Sequence, residues 1–191
     1  LWSQFYNRNA SLYCIANKIK VANSGNIYVA GFSDGGGTGY DLTLIKLNNF
    51  GVMQWETFYN GTGSSSDSLT SLHIDNNGYI YIAGNSVNFA VNSDFKLIKY
   101  SAAGVQIWQQ SYDYGSDDYI VSSASDETGN IFLTGFSWGG SGINNPNYDW
   151  ATVMFDNTGN QIWVNRYGGL GRNDTPADIV LTHNPDSKSN F

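Results

Sequence analysis

The chain has 191 residues, of which 41% are hydrophobic and 15% aromatic, which is enough material for a packed interior. Nine basic residues stand against sixteen acidic ones, giving a net charge of −7 at pH 7. No lysine or arginine cluster could neutralise a run of phosphates, and no apolar run is long enough to span a bilayer. The composition therefore excludes nucleic acid and membrane insertion, and the single cysteine, Cys14, excludes an internal disulfide.

A seven-residue phrase occurs three times, as GNIYVAG at 25–31, GYIYIAG at 78–84 and GNIFLTG at 129–135. Other residues return at the same interval of 53 to 55 positions, which is typical of a repeat architecture. The period divides the chain into repeats at about 2–54, 55–107 and 108–162 and an incomplete repeat at 163–191. The recurring residues are Gly31, Gly84 and Gly135, Asp41, Asp94 and Asp149, and Trp2, Trp55, Trp108 and Trp163.

Each repeat is predicted to form four short strands, which in the second copy lie at 68–74, 79–85, 94–100 and 104–112. These segments are rich in β-branched and aromatic residues and are separated by glycine, asparagine, aspartate and serine. Tight glycine-containing hairpins are expected after the first and third strands, and longer, variable loops after the second. Since alternate connections fall at opposite ends of an up-and-down sheet, the variable loops should gather at one end. Helix should be almost absent.

The strand faces favour one all-β architecture over another. Segments such as IYIAG and LTLIKL are apolar on nearly both faces, whereas a strand of a two-layer sandwich has one face in water. Four-stranded blades pressed between neighbours would cover both faces, with the recurring tryptophans filling the space between blades. We therefore predict a β-propeller of four-stranded antiparallel blades of about 53 residues, with about three and a half blades present. Such a count predicts either a longer chain or a ring completed by several copies.

The aligned repeats resemble a known family. The residues that carry the resemblance are DNNGYIYIAG (75–84), DFKLIKYSAAGVQIW (94–108), DETGNIFLTG (126–135) and DWATVMFDNTGNQIW (149–163). They are similar to the SBBP-type β-propeller repeat over essentially the whole chain. The resemblance implies a propeller, commonly seven-bladed, in large secreted or cell-surface proteins of bacteria, often Bacteroidetes. It implies no common catalytic set, and Met154 stands where the other copies have Lys46 and Lys99.

Two groups of residues are candidates for function at the loop end. The aspartates that open the third strands should accept backbone N–H bonds and fix the loops, with an acidic ring that binds Ca²⁺ as the alternative. That ring would add Asp34, Asp67, Asp118 and Asp174. No segment has the spacing of a calcium loop, so we expect no cofactor, and Ca²⁺ is the one exception left open. The residues best suited to a binding face are Asp34, Tyr40, Phe89, Trp138 and Tyr148.

These observations predict a non-enzymatic extracellular propeller segment that acts as a protein-interaction or structural module of a larger bacterial surface or secreted protein. Its partners would be other proteins or the remaining blades of the same chain, with glycans as a further option. The alternative is a carbohydrate-binding or polysaccharide-degrading propeller, a hydrolase or lyase that uses pairs of carboxylates. Because the acids recur with the period, symmetry explains them better than catalysis does.

Overall fold

The fold is all-β. A computed structural model of the chain describes residues 2–8, 13–62, 65–89, 92–139, 147–169 and 173–182. These contain twelve strands: β1 (Cys14–Val21), β2 (Ile27–Asp34), β3 (Tyr40–Leu47), β4 (Met53–Tyr59), β5 (Ser68–Ile74), β6 (Ile80–Val87), β7 (Ser93–Tyr100), β8 (Gln106–Tyr112), β9 (Asp118–Ser125), β10 (Ile131–Trp138), β11 (Tyr148–Phe155) and β12 (Gln161–Tyr167). Within these ranges there is no α-helix, and so none that is long and apolar enough to cross a membrane.

The strands form three four-stranded antiparallel sheets, each with its strands in chain order. Sheet 1 contains β1–β4, sheet 2 contains β5–β8 and sheet 3 contains β9–β12. The prediction of four strands per repeat is confirmed, and in sheet 2 the predicted bounds agree with the observed ones to within two residues. Repeats counted from the tryptophans begin inside the fourth strand of a sheet, because Trp55, Trp108 and Trp163 lie in β4, β8 and β12.

Six tight turns of one design close the hairpins at one end of the sheets. In the turn after β9, Asp126 Oδ1 accepts backbone N–H bonds from Thr128 and Asn130, both at 2.9 Å. Gly129 follows with φ of 87°, a backbone region that favours glycine. The corresponding turns lie at 22–26, 48–52, 75–79, 101–105 and 156–160. The second-to-third connections and the links between sheets therefore share the opposite end, here named the loop end, as the sequence predicts.

The three sheets pack face to face in chain order. One buried cluster, which includes Leu44, Ile82 and Ile98, lies between sheets 1 and 2, and a second, which includes Leu97 and Val153, lies between sheets 2 and 3. Every residue of β7 is buried, whereas β1 is exposed along most of its length. The first strands of successive sheets are neighbours, with β5 between β1 and β9. The apolar pattern on both strand faces thus reflects sheets that are covered on two sides, although the described residues do not close a ring.

Recurring glycines in the second strands allow a close approach of the first strand. A Cβ at Gly84 would fall on the carbonyl oxygen of Ser68, and Gly31 and Gly135 meet carbonyl oxygens of their own first strands in the same way. At each position the register of the pairing shifts by one residue. Glycine is needed at these positions because the extra residue of the bulge lies in the first strand and pushes the backbone of that strand towards the second strand.

Neighbouring sheets are joined by a repeated contact that we name the tryptophan–glycine interlock. The indole ring of one tryptophan covers the positive-φ glycine of the β-turn between the third and fourth strands of the following sheet. A Cβ on this glycine would lie 2.9 Å from the ring in one case and 3.0 Å in another. The three pairs are Trp2 with Gly51, Trp55 with Gly104, and Trp108 with Gly159.

A lysine supports two of the junctions. Lys46 Nζ donates to the carbonyl oxygen of Ala102 at 2.8 Å, and Lys99 Nζ donates to that of Asn157 at 2.7 Å. Both acceptors belong to the turn that carries the interlock glycine of the next sheet. The lysine therefore ties each of the first two sheets to its successor, and Met154 stands at this place in sheet 3.

Candidate functional site at the loop end

The residues expected to form a binding face do lie at the loop end. Four of them are the last residue of a second strand or the first residue of a third strand, and the fifth lies in the connection between β6 and β7. Phe89 has 83% of its surface exposed, whereas the other four are half-buried. In order along the chain they are Asp34, Tyr40, Phe89, Trp138 and Tyr148.

In sheet 3 the aromatic residues of this end pack on one another. The Trp138 and Tyr148 rings meet edge to face with centroids 6.0 Å apart, and Tyr148 meets Phe136 at 5.1 Å. The carbonyl oxygen of Trp138 accepts a hydrogen bond from Arg166 at 2.9 Å. Trp138 is thus part of a packed group, and Phe89 is the candidate that offers an open aromatic surface.

Two of the three recurring aspartates are neutralised by arginine. Arg8 Nη1 lies 2.6 Å from Asp41 Oδ2, and Arg166 Nη2 lies 3.1 Å from Asp149 Oδ2. Arg166 also donates to the hydroxyls of Tyr112 and Ser137. Since these carboxylates are largely buried, each arginine offsets a charge that would otherwise be costly.

The third recurring aspartate, Asp94, lies in a different setting. It forms a group with Asp113, which follows β8, and Asp118, which opens β9, and each residue places one carboxylate oxygen within 4.8 Å of the others. We name this group the acidic cluster. Asp94 and Asp118 are buried and Asp113 is exposed, so the cluster has one side open to water at the junction of sheets 2 and 3.

One oxygen of each carboxylate in the cluster is held by a nitrogen donor. Asp94 Oδ2 accepts from Asn88 Nδ2 at 2.9 Å, and Asp118 Oδ2 accepts from the Tyr114 backbone N–H at 2.7 Å. Asp113 Oδ1 accepts from the backbone N–H two residues along the chain at 2.6 Å. The carboxylates are therefore fixed in place by contacts that leave other oxygens available.

The electrostatics of the cluster disfavour three ionised groups. Burial raises the pKa of Asp94 to about 6, and the Asp113 and Asp118 carboxylates add to this shift. Burial also raises the pKa of Asp118. Against burial, Lys96 of β7 lowers the pKa of Asp94, but its Nζ donates to Ser111 Oγ at 3.1 Å rather than to the carboxylate. Within the described ranges, the only two carboxylate ion pairs are those of Arg8 and Arg166.

The sequence suggests an acidic ring at the loop end. Of its members, Asp118 belongs to the acidic cluster, whereas Asp67 and Asp174 have the place of Asp118 at the other junctions. Asp67 Oδ2 accepts from the Gly61 N–H at 2.9 Å, and Asp174 Oδ2 accepts from the Gly169 N–H at 2.6 Å. Sequence reasoning missed Asp113. The sequence carries a signal for this residue, because Asp113 is charged whereas the first and third repeats have the uncharged residues Asn60 and Gly168 at the same position.

A second polar group joins the first strands. His73 Nε2 lies 2.7 Å from Ser123 Oγ, His73 Nδ1 lies 3.2 Å from Ser125 Oγ, and Ser123 Oγ donates to Ser71 Oγ at 2.5 Å. Burial lowers the pKa of His73 to about 4, and Lys20 and Lys18 add to the effect. The described hydrogen bonds of His73 are to serine hydroxyls, so the group ties sheet 2 to sheet 3 as a neutral hydrogen-bond network.

The clearest cavity in the described part of the chain lies elsewhere. It has a volume of about 440 Å³ and is bounded by residues 4–7 on one side and the outer face of sheet 1 on the other, with Cys14, Ile45 and Met53 in its lining. The acidic cluster is not part of it.

The chain matches no protein-family model, and it matches no curated protein.

Proposed function

We propose that the chain is a non-enzymatic segment of an extracellular β-propeller of the SBBP type, and that it serves as an interaction or structural module of a larger bacterial surface or secreted protein. The observation that carries the proposal is the tryptophan–glycine interlock, which recurs at successive junctions. A contact that repeats with the sheets binds one repeat to the next, so the fold depends on lateral neighbours. The surfaces that this segment uses for recognition would therefore bind another repeat.

Trp163 has the place of the interlock tryptophans in sheet 3, but it is not part of the three described tryptophan–glycine pairs. Its ring is 40% exposed and its aromatic neighbour is Phe132, at a centroid distance of 6.1 Å. A second copy of this chain is a poor occupant, because its Gly51 is already covered by its own Trp2. We infer that Trp163 receives the glycine turn of a further repeat.

The outer face of sheet 3 suits such a neighbour. Phe132, Trp150 and Met154 supply apolar surface, and Trp150 is 41% exposed. The hydroxyls of Thr134 and Thr152 on this face are satisfied, since Trp150 Nε1 donates to Thr134 Oγ1 at 2.7 Å and to Thr152 Oγ1 at 3.0 Å. These two hydroxyls therefore keep a partner when the face is covered, as a favourable apolar junction requires.

Residues 173–182 already follow the pattern of a next first strand. The Asp174 N–H donates to the Tyr148 carbonyl oxygen at 2.7 Å, as the Asp67 N–H donates to that of Tyr40 at 2.6 Å in the earlier junction. Further along, Asp178 accepts a hydrogen bond from Ser122 of β9. This segment thus runs beside sheet 3 in the position that β5 has beside sheet 1.

An extended chain tests the proposal. Residues 1–172 are followed by a copy of residues 117–169, so that a fourth glycine turn is available to Trp163. We expect the extended chain to unfold at a higher urea concentration, and Trp163→Ala to cost about 3 kcal/mol in it against about 1 kcal/mol in the parent. Valine at the copied Gly159 is the matched control and should abolish the difference. An equal cost of Trp163→Ala in both chains would refute the interlock.

The non-enzymatic part of the proposal has its own test. The purified chain is screened on a glycan array and against a panel of polysaccharides, with release of reducing ends as the readout. We expect no hydrolysis or elimination, because the cavity of about 440 Å³ on sheet 1 is lined by none of the carboxylates of the acidic cluster. Turnover that is lost in Asp113→Asn would establish the enzymatic alternative instead.

A further inference from the structure

The acidic cluster lacks a compensating charge that the equivalent sites of sheets 1 and 3 have. There, Asp41 and Asp149 are each paired with an arginine. Asp94 has no such partner among the described residues. Its repeat has instead gained a third carboxylate, Asp113, where the other repeats have neutral residues. Three acidic groups thus converge at this junction. Against the burial that raises both pKa values, Lys96 lowers the pKa of Asp94 and Arg166 lowers that of Asp118, but neither forms an ion pair with the cluster among the described residues.

Two buried oxygens in the cluster have no hydrogen-bond partner among the residues that the structure describes. They are Asp94 Oδ1 and Asp118 Oδ1, and their residues are 7% and 0% exposed. The second oxygen of each carboxylate is already occupied, by Asn88 and by the Tyr114 N–H respectively. A buried carboxylate oxygen that is left unsatisfied is costly, and a bound cation is one of the few ways to compensate it.

We propose that Asp94, Asp113 and Asp118 bind one Ca²⁺ ion, which joins sheet 2 to sheet 3. Oxygens that share a Ca²⁺ ion lie about 2.3–2.6 Å from it and hence no more than about 5 Å from one another. The three oxygens lie within 4.8 Å of one another, which satisfies this limit. Ca²⁺ accepts six to eight oxygens in flexible geometry, which suits two buried carboxylates with one side open to water.

The site combines fixed and open positions. Asp94 and Asp113 come from sheet 2 and Asp118 comes from sheet 3, so an ion at this place holds two sheets at once. The exposed side at Asp113 admits the waters that complete the six to eight ligands of Ca²⁺. This inference is independent of the proposed function, because it depends on no neighbour beyond sheet 3.

Calcium binding by the 191-residue chain tests the site. The protein is treated with a chelator, exchanged into chelator-free buffer at neutral pH and titrated with CaCl₂ in a calorimeter. We expect one ion per chain, a dissociation constant of about 10⁻⁵ to 10⁻³ M and a higher unfolding temperature with Ca²⁺. Tb³⁺ gives a second readout, since Tyr112 and Tyr114 flank Asp113 and can sensitise its luminescence.

Two variants and a control locate the ion. Asp113→Asn copies the residue that the first repeat has at this place, so it should fold, and we expect it to weaken Ca²⁺ binding at least about tenfold. Asp94→Asn should abolish binding in the millimolar range. Glu127→Gln removes one negative charge at the hairpin end and should leave binding unchanged. Absence of heat and of a thermal shift in the parent chain at roughly 10 mM Ca²⁺ would overturn the site, as would unchanged binding in both cluster variants.

Discussion

Removal of the Trp108 ring is the sharpest test of how the sheets are held together. The ring covers Gly159 of the following sheet, where a Cβ would lie 3.0 Å from it, and it meets Tyr81 edge to face at 5.9 Å. It is half-buried and packs against the cluster between sheets 2 and 3. Its buried Nε1 has no hydrogen-bond partner in the described part of the chain, so Trp108→Ala removes packing without breaking a hydrogen bond there.

The expected cost follows from this environment. Emptying a buried aromatic site costs about 3–5 kcal/mol, and a half-buried ring belongs at the lower end, at about 3 kcal/mol. Trp163 has the same place in sheet 3 but is 40% exposed and covers no described glycine. Trp163→Ala should therefore cost on the order of 1 kcal/mol in the same chain.

Urea unfolding followed by far-ultraviolet circular dichroism measures both costs. A double-mutant cycle adds Gly159→Val, whose side chain would collide with the Trp108 ring and should cost less once that ring is removed. Equal costs for the two tryptophans would contradict the interlock. So would a Trp108→Ala variant whose free energy of unfolding changes by less than about 1 kcal/mol.

Three other changes test separate contacts. Gly84→Ala should cost about 3 kcal/mol in urea unfolding, because the new Cβ falls on the Ser68 carbonyl oxygen. Arg166→Gln should also cost about 3 kcal/mol, since it leaves Asp149 unpaired, and a loss below about 0.5 kcal/mol would contradict the role given to this pair. Because the pKa of His73 is lowered to about 4 in the folded state, the unfolded state binds a proton at this histidine between about pH 6.5 and pH 4 whereas the folded state does not. Its contribution of up to about 3 kcal/mol is present above pH 6.5 and is lost as the pH falls, so His73→Gln should flatten the dependence of stability on pH in this window.

The repeat could be predicted from the sequence because each of its parts has a local cause. Turn glycines such as Gly129 need positive φ, and the side chain of Asp126 binds backbone groups within four residues. Alternation of apolar residues places the strands between these turns. The same local logic predicted that Asp94 would lie at the loop end, although it assigned all three recurring aspartates one role.

Their different roles depend on residues distant in sequence. Arg8 reaches Asp41 across 33 positions, and Arg166 reaches Asp149 from the next strand. Asp113 was overlooked because it breaks the period, and a search for recurring residues gives weight only to those that keep it. The departure from the repeat, rather than the repeat, marks the acidic cluster.

The sequence by itself determined the strand content, the hairpins and the separation of a hairpin end from a loop end, because turn geometry and strand periodicity act over a few residues. Only the tertiary structure decided which tryptophan covers which glycine and which carboxylates converge without an ion pair. The tryptophan–glycine contacts join positions about fifty residues apart, such as Trp108 and Gly159, and the acidic cluster joins two sheets. Both exist only once one sheet has packed on another. Burial and charge compensation are properties of that packed junction, so no single segment encodes them.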